Sequence, residues 1–212
     1  MQSPKMVDAT EESALETLVS RLTEIRLHRS PSFSPDASRV AFVSDASGLP
    51  QVWIVPTEGG TPARVPDLDD PVESVLWSPD GKWLAFLVSP GGGMNKQIYV
   101  VRPDGSALRR LTDGKKENNY MGFWTPDGRA LTMSSNRRRV YAGDAYLIDV
   151  ETGEQRLITR NRGLGGFIDV TRDGKYGLLY RLMNRGDDNL FLVDLEDSRE
   201  VLLTPHDGPG QF

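Results

Sequence analysis

The apolar positions of this chain fall in short runs, and the runs recur. Trp83 to Val88 is an unbroken apolar stretch. It follows a polar turn, Ser78-Pro79-Asp80-Gly81-Lys82, and that turn follows an aromatic residue, Trp77. The phrase returns as Phe33-Ser34-Pro35-Asp36, as Trp124-Thr125-Pro126-Asp127-Gly128 and, degraded, as Val170-Thr171-Arg172-Asp173-Gly174. Trp77 lies 44 residues after Phe33, Trp124 47 after Trp77, and Val170 46 after Trp124. A fixed period in the forties marks a repeat architecture.

Each unit holds four short predicted strands. The first ends in the aromatic position: Ser32-Phe33, Val72 to Trp77, Tyr120 to Trp124, Phe167 to Val170. The second follows the turn: Arg39 to Ser44, Trp83 to Ser89, Ala130 to Ser134, Tyr176 to Leu182. The third is the most apolar: Gln51 to Val55, Gln97 to Val101, Ala145 to Val150, Asn189 to Leu195. The fourth is short and polar: Ala63 to Val65, Arg109 to Thr112, Gln155 to Thr159, Glu200 to Thr204.

The third strands set the fold class. A strand with one face in water alternates apolar and polar residues. Val52-Trp53-Ile54-Val55, Ile98-Tyr99-Val100-Val101 and Leu190-Phe191-Leu192-Val193 do not alternate, so both of their faces must be covered. Four-stranded antiparallel sheets repeated at this period achieve that by stacking radially, as blades of a β-propeller. A flat β-sandwich is the rival, and it requires no such period. The prediction is an all-β chain of four blades, at about 28–67, 68–113, 114–160 and 161–204. Residues 205–212 read as the start of a further repeat, so an open segment of a larger ring is expected over a closed four-blade ring, with apolar end faces open to self-association.

The turns explain the punctuation. Proline presets φ at the second turn position, aspartate bonds back to the backbone at the third, and glycine accepts a left-handed conformation at the fourth. The repeat residues are therefore assigned structural roles: Phe33, Pro35 and Asp36; Trp77, Pro79, Asp80 and Gly81; Trp124, Pro126, Asp127 and Gly128; Asp173 and Gly174. Ala37 and Arg172 stand where glycine and proline are expected. Before the repeats, within residues 1–27, Asp8 and Glu11 form a capping-box pattern. Leu15, Leu18, Val19 and Leu22 then line one face of an amphipathic helix over about residues 9–22, which packs on its own chain or docks on a partner domain.

Charge narrows the function. The net charge of −5 argues against a nucleic-acid or anionic-membrane surface. No apolar run approaches the roughly 20 residues of a membrane helix, and the first residues lack the apolar core of a secretory signal. Zero cysteines exclude disulfides, thiolate zinc sites and cysteine nucleophiles. The expectation is a cytoplasmic protein without cofactor or metal.

The ordered phrases resemble the N-terminal propeller of bacterial prolyl oligopeptidase-family serine peptidases, in the acylaminoacyl-peptidase-like branch. They are Pro31-Ser32-Phe33-Ser34-Pro35-Asp36, then Ser47-Gly48-Leu49-Pro50-Gln51-Val52-Trp53 with Gly59-Gly60-Thr61-Pro62. Tyr146-Leu147-Ile148-Asp149-Val150-Glu151-Thr152-Gly153 and Leu203-Thr204-Pro205-His206-Asp207-Gly208-Pro209-Gly210 complete the set. The Ser-Pro-Asp-Gly turn alone is shared with Tol-system propellers and WD-like proteins. The resemblance implies a seven- or eight-bladed propeller that admits peptides, but not folded proteins, to an α/β-hydrolase domain. Here the hydrolase part is absent and no Gly-x-Ser-x-Gly elbow occurs, so no catalytic residue carries over. The expected partners are that hydrolase domain and peptides as substrates of the parent protein. A stand-alone interaction scaffold, or a ligand-binding propeller of the Tol type, is the alternative.

Other candidate chemistry is thin. Arg137, Arg138 and Arg139 fall in a predicted loop between second and third strands, where they could meet substrate carboxylates or an acidic partner. Gly91-Gly92-Gly93 precedes a strand, not the helix that a phosphate loop requires. Asp67, Asp69 and Asp70, and Asp187 with Asp188, match no calcium-loop spacing. His206-Asp207 has no nucleophile assigned beside it.

Overall fold

A computed structural model describes residues 26–208 and 210. The amphipathic helix expected over residues 9–22 lies outside them. The described residues form sixteen strands in four antiparallel meanders. Sheet one holds β1 (His28–Phe33), β2 (Arg39–Ser44), β3 (Gln51–Pro56) and β4 (Ala63–Arg64). Sheet two holds β5 (Val72–Trp77), β6 (Leu84–Val88), β7 (Gln97–Val101) and β8 (Arg109–Arg110). Sheet three holds β9 (Asn119–Trp124), β10 (Ala130–Arg139), β11 (Ala142–Asp149) and β12 (Gln155–Thr159). Sheet four holds β13 (Gly165–Val170), β14 (Tyr176–Asn184), β15 (Asp187–Asp194) and β16 (Glu200–Leu202). The glycine run becomes a short 3-10 turn, Pro90–Gly92, between β6 and β7.

The core consists of three layers between successive sheets. All five residues of β6 are buried, and alternation shares them between two layers. Leu84, Phe86 and Val88 meet Ala41, Val43, Val52 and Ile54 of sheet one. Ala85 and Leu87 meet Leu131, Met133, Tyr146 and Ile148 of sheet three. On β11 the pattern repeats, with Ala145 and Leu147 turned toward Phe167, Leu179 and Val193 of sheet four. Burying a side chain such as Phe86 contributes about 1.5–3 kcal/mol.

The two end sheets each keep one apolar face half-buried. In sheet one the cross-strand pairs Val40 with Val55 and Phe42 with Trp53 occupy the face away from sheet two. In sheet four the pairs Leu178 with Leu192 and Tyr180 with Leu190 do the same on the face away from sheet three. Phe33 departs from the role assigned to it. Trp77 and Trp124 are 5% and 8% exposed, whereas Phe33 is 65% exposed. Its position in the repeat is the same, but no sheet covers it among the described residues.

The placement of the arginine triplet is corrected. Arg137 to Arg139 are the last residues of β10, and the ladder continues through the pair Arg139 with Ala142. Only Val140 and Tyr141 separate β10 from β11. The expected loop is a strand because Arg138 is anchored by an acidic partner on the opposing strand.

Candidate functional site

One hydrogen-bond motif is repeated in every turn between first and second strands. In sheet two, Ser78 Oγ donates to Asp80 Oδ1 at 2.7 Å, while Lys82 N–H donates to the same oxygen at 3.1 Å. Trp83 N–H donates back to Ser78 Oγ at 2.9 Å. Ser34 with Asp36, Thr125 with Asp127 and Thr171 with Asp173 form the same short bond, each at 2.6 Å. The bond from Ser34, joined by those from Ser38, holds the Asp36 carboxyl at about 2, below its ordinary 3.8. Thr171 likewise lowers Asp173. Burial pushes Asp80 up, but the Ser78 and Lys82 bonds outweigh it and hold the group below its ordinary range.

The hydroxyl at the first turn position is the element that sequence reading passed over. It survives in all four turns as Ser34, Ser78, Thr125 and Thr171. Proline does not, since Arg172 replaces it, and glycine does not, since Ala37 takes φ +57° in its place. The turns also touch one another. A Cβ on Gly128 would lie 2.7 Å from Asp80 Cγ, and one on Gly174 would lie 3.4 Å from Pro126 Cδ. These residues tile one face of the molecule and present no catalytic grouping.

The arginine triplet lies at the opposite end of the strands and does not act as a unit. Arg138 is structural: Nε and Nη2 bind Asp144 at 2.5 and 2.7 Å, and Nη2 also donates to the Asn161 carbonyl at 2.9 Å. The Asp144 side chain has no solvent exposure. The short bond to Asp144 raises the Arg138 pKa above its ordinary value. Arg137 lies 5.7 Å from the Tyr146 ring, and Arg139 is exposed.

Asn161 carries this network into sheet four. It accepts from Arg181 Nε at 2.7 Å and donates to the Gly143 carbonyl at 2.5 Å. Arg181 then holds both oxygens of Glu200, at 2.9 and 3.0 Å. Burial raises the Glu200 carboxyl, but Arg181 and Thr159 more than offset this and leave it below its ordinary value.

Two hollows flank the linker that follows β12. One, of about 450 Å³, is walled by β9, β10 and β13 and lined by Tyr120, Gly122, Ser134, Gly166 and Ile168, with Val140 and Leu164 at its edge. Beside it, the inner strands β9 and β13 are not stitched by side-chain hydrogen bonds. At the first seam, Ser30 and Ser32 of β1 accept from Val75 and Trp77 N–H of β5 at 3.1 and 2.9 Å. The positions of β9 that correspond, counted back from Trp124, hold Met121 and Phe123. No hydrogen bond joins β9 to β13 among the described residues. The second hollow, of about 610 Å³, is lined by Arg160, Arg162, Arg181, Phe191, Asp187 and His206.

The remaining candidates make local structural contacts. Asp70 accepts from Gly91 N–H at 2.6 Å and Asp67 pairs with Arg64 at 2.8 Å. His206 lies 3.6 Å from Asp187 and not in a triad with Asp207. No group of three or more metal-ligating side chains occurs among the described residues. No helix among them is long and apolar enough to cross a membrane.

Comparison with known proteins agrees with this architecture. The chain is 29% identical over 160 residues to the uncharacterized peptidase YuxL of Bacillus subtilis, covering 74% of this chain and 22% of that protein. It is 33% identical over 139 residues to a TolB homolog of Chlorobium luteolum, covering 65% of this chain and 30% of that one. The chain thus spans less than a third of either relative. A solved prolyl endopeptidase superposes with a TM-score of 0.71 at 19% identity, over 94% of this chain and 34% of its own. That likeness speaks for the fold alone. The sequence profile of the TolB beta propeller domain matches residues 30–209, which takes in all sixteen strands except the start of β1, and the chain belongs to that family.

Proposed function

We propose that this chain is the non-catalytic propeller portion of a prolyl-oligopeptidase-like serine peptidase, and that it restricts which peptides reach a hydrolase domain outside this chain. One observation carries the reading: the alignment to a peptidase covers 74% of this chain but only 22% of the peptidase. The four sheets with open end faces supply a wall, and they contain no assembled nucleophile, base and oxyanion site. The reading places the parent protein in the cytoplasm. Its partners are the hydrolase domain and unfolded peptides, with the open faces of sheets one and four buried against further blades or another copy.

The test starts with the coding frame beyond Phe212. It should continue into an α/β-hydrolase sequence with a Gly-x-Ser-x-Gly elbow. The whole protein should then cleave short chromogenic peptides and spare folded proteins, while the 212-residue chain should take up no serine-hydrolase probe. A frame that ends without a hydrolase, or equal cleavage of folded proteins and peptides, overturns the reading.

A second reading has its own support. The match to a TolB homolog is 33% identical, and the family is named for TolB. On that reading the chain is an interaction or ligand-binding propeller without a hydrolase, and the same coding frame separates the two.

A further inference from the structure

The seam between sheets three and four has an apolar hollow on one side of its linker and arginines on the other. We propose that this seam binds an acidic peptide, taking one large apolar side chain into the hollow between β9 and β13 and one carboxylate on Arg160 or Arg162. The inference rests on the peptide-selecting role proposed above and specifies which peptides are held.

Three observations converge. First, apolar surface is concentrated here: Tyr120 is 46% exposed, Val140 86%, Leu164 61% and Ile168 45%, and all four line the same 450 Å³ hollow. Concave, largely apolar sites with a few polar groups are where ligands bind. No charged side chain lines that hollow, so the group it accepts is uncharged.

Second, charge is complementary to an acid. The linker that supplies Leu164 to the apolar hollow supplies Arg160 and Arg162 to its neighbour. Both arginines are exposed, and neither forms an ion pair among the described residues. Arg181 beside them is already committed to Glu200. A chain of net charge −5 therefore presents two uncommitted cations at this edge, each able to grip a carboxylate bidentately.

Third, the walls suit an extended chain. β9 and β13 are the edge strands of their sheets, and an edge strand offers main-chain groups to an incoming segment. β10 and β13 approach closely beside the hollow, where glycines leave room. Ser134 Oγ donates to the Gly165 carbonyl at 2.7 Å, and a Cβ on Gly143 would lie 2.5 Å from that hydroxyl oxygen.

The experiment is calorimetric titration of the 212-residue chain with capped tetrapeptides. Asp-Gly-Phe-Gly should bind, and replacing its Phe by Ser or its Asp by Asn should weaken binding about tenfold or more, as loss of an anchor does. Gly166→Val fills the hollow, and its new Cβ would meet Ser134 Cβ at an ordinary 3.4 Å. Gly166→Val, Leu164→Ser and Arg162→Ser should each weaken binding to a similar degree while leaving the near-ultraviolet spectrum unchanged. Met94→Ser, at an 87% exposed site elsewhere, should leave affinity unchanged.

Binding that ignores all three substitutions overturns the site, while peptide selection by the propeller survives. Phenylacetate that binds as tightly as the tetrapeptide overturns the assignment to a peptide. Failure of every tetrapeptide to bind overturns the inference and leaves only exclusion by size for the parent protein.

Discussion

Gly128 of the third turn lies directly against Asp80 of the second, so closely that a Cβ on Gly128 would sit 2.7 Å from Asp80 Cγ. The glycine also holds φ +70°. Its absence of a side chain therefore serves both the turn and the contact between sheets. Gly153 provides the control, with φ +75° and nothing within 4 Å. Gly153→Ala should lose only the left-handed term, about 1–2 kcal/mol. Gly128→Ala should lose about 2–4 kcal/mol, because the neighbouring turn must also move. Urea unfolding of the two variants checks the difference, and equal losses would remove the contact between turns from the account.

Trp77 and Phe33 hold one repeat position with opposite burial. Trp77→Ala should destabilise by about 3–5 kcal/mol, as emptying a buried aromatic site does. Phe33→Ala, at 65% exposure, should stay under about 1 kcal/mol. A loss at Phe33 that matches the loss at Trp77 would mean that the outer face of sheet one is covered in solution.

Acid should loosen the turns within a defined window. Asp36 has a folded pKa of about 2 against an ordinary 3.8, and Asp173 is lowered in the same direction. A carboxyl that is more acidic when folded adds stability that is complete above its ordinary pKa and is lost as pH falls through the folded one. Stability should therefore hold from neutrality to about pH 4 and decline from there to about pH 2. Asp36→Asn should shrink that decline. Urea midpoints across the range test it, and an unchanged acid limb would contradict the turn assignment.

The arginine triplet should separate under substitution. Arg138→Met strands the buried Asp144 carboxylate and should lower the urea midpoint clearly, because breaking a buried pair leaves a charge uncompensated. Arg139→Ala should leave the midpoint nearly unchanged, as exposed positions do. Equal effects at the two positions would deny Arg138 its structural role.

The sequence made the repeat and the strands legible because both follow from local pattern. The third strands read as covered on both faces; the structure buries Ile98, Val100 and Val101 of β7, while Trp53 and Val55 of β3 and Leu190 and Leu192 of β15, on the outer faces of the end sheets, stay half-buried. The site was less legible because it depends on contacts distant in sequence. Arg138 meets Asp144 across a hairpin whose turn carries no glycine or proline signal, so the hairpin passed for a loop. The hollow is lined by residues of β9, β10 and β13 that lie far apart in the sequence. Ser34, Ser78, Thr125 and Thr171 were visible as a column, but proline and glycine drew the attention in the same phrase.

The core layers join each sheet to its neighbours in sequence. Among the described residues no core layer joins the first sheet to the last, so under tension no long-range clamp between them must fail first. A sheet peeled from either end can leave the next with its own ladder intact. Each release of some 46 residues would add roughly 150 Å of slack, so a stretched molecule should lengthen in regular steps rather than in a single rupture. The period that organises the sequence would then be readable as a ruler along the force trace.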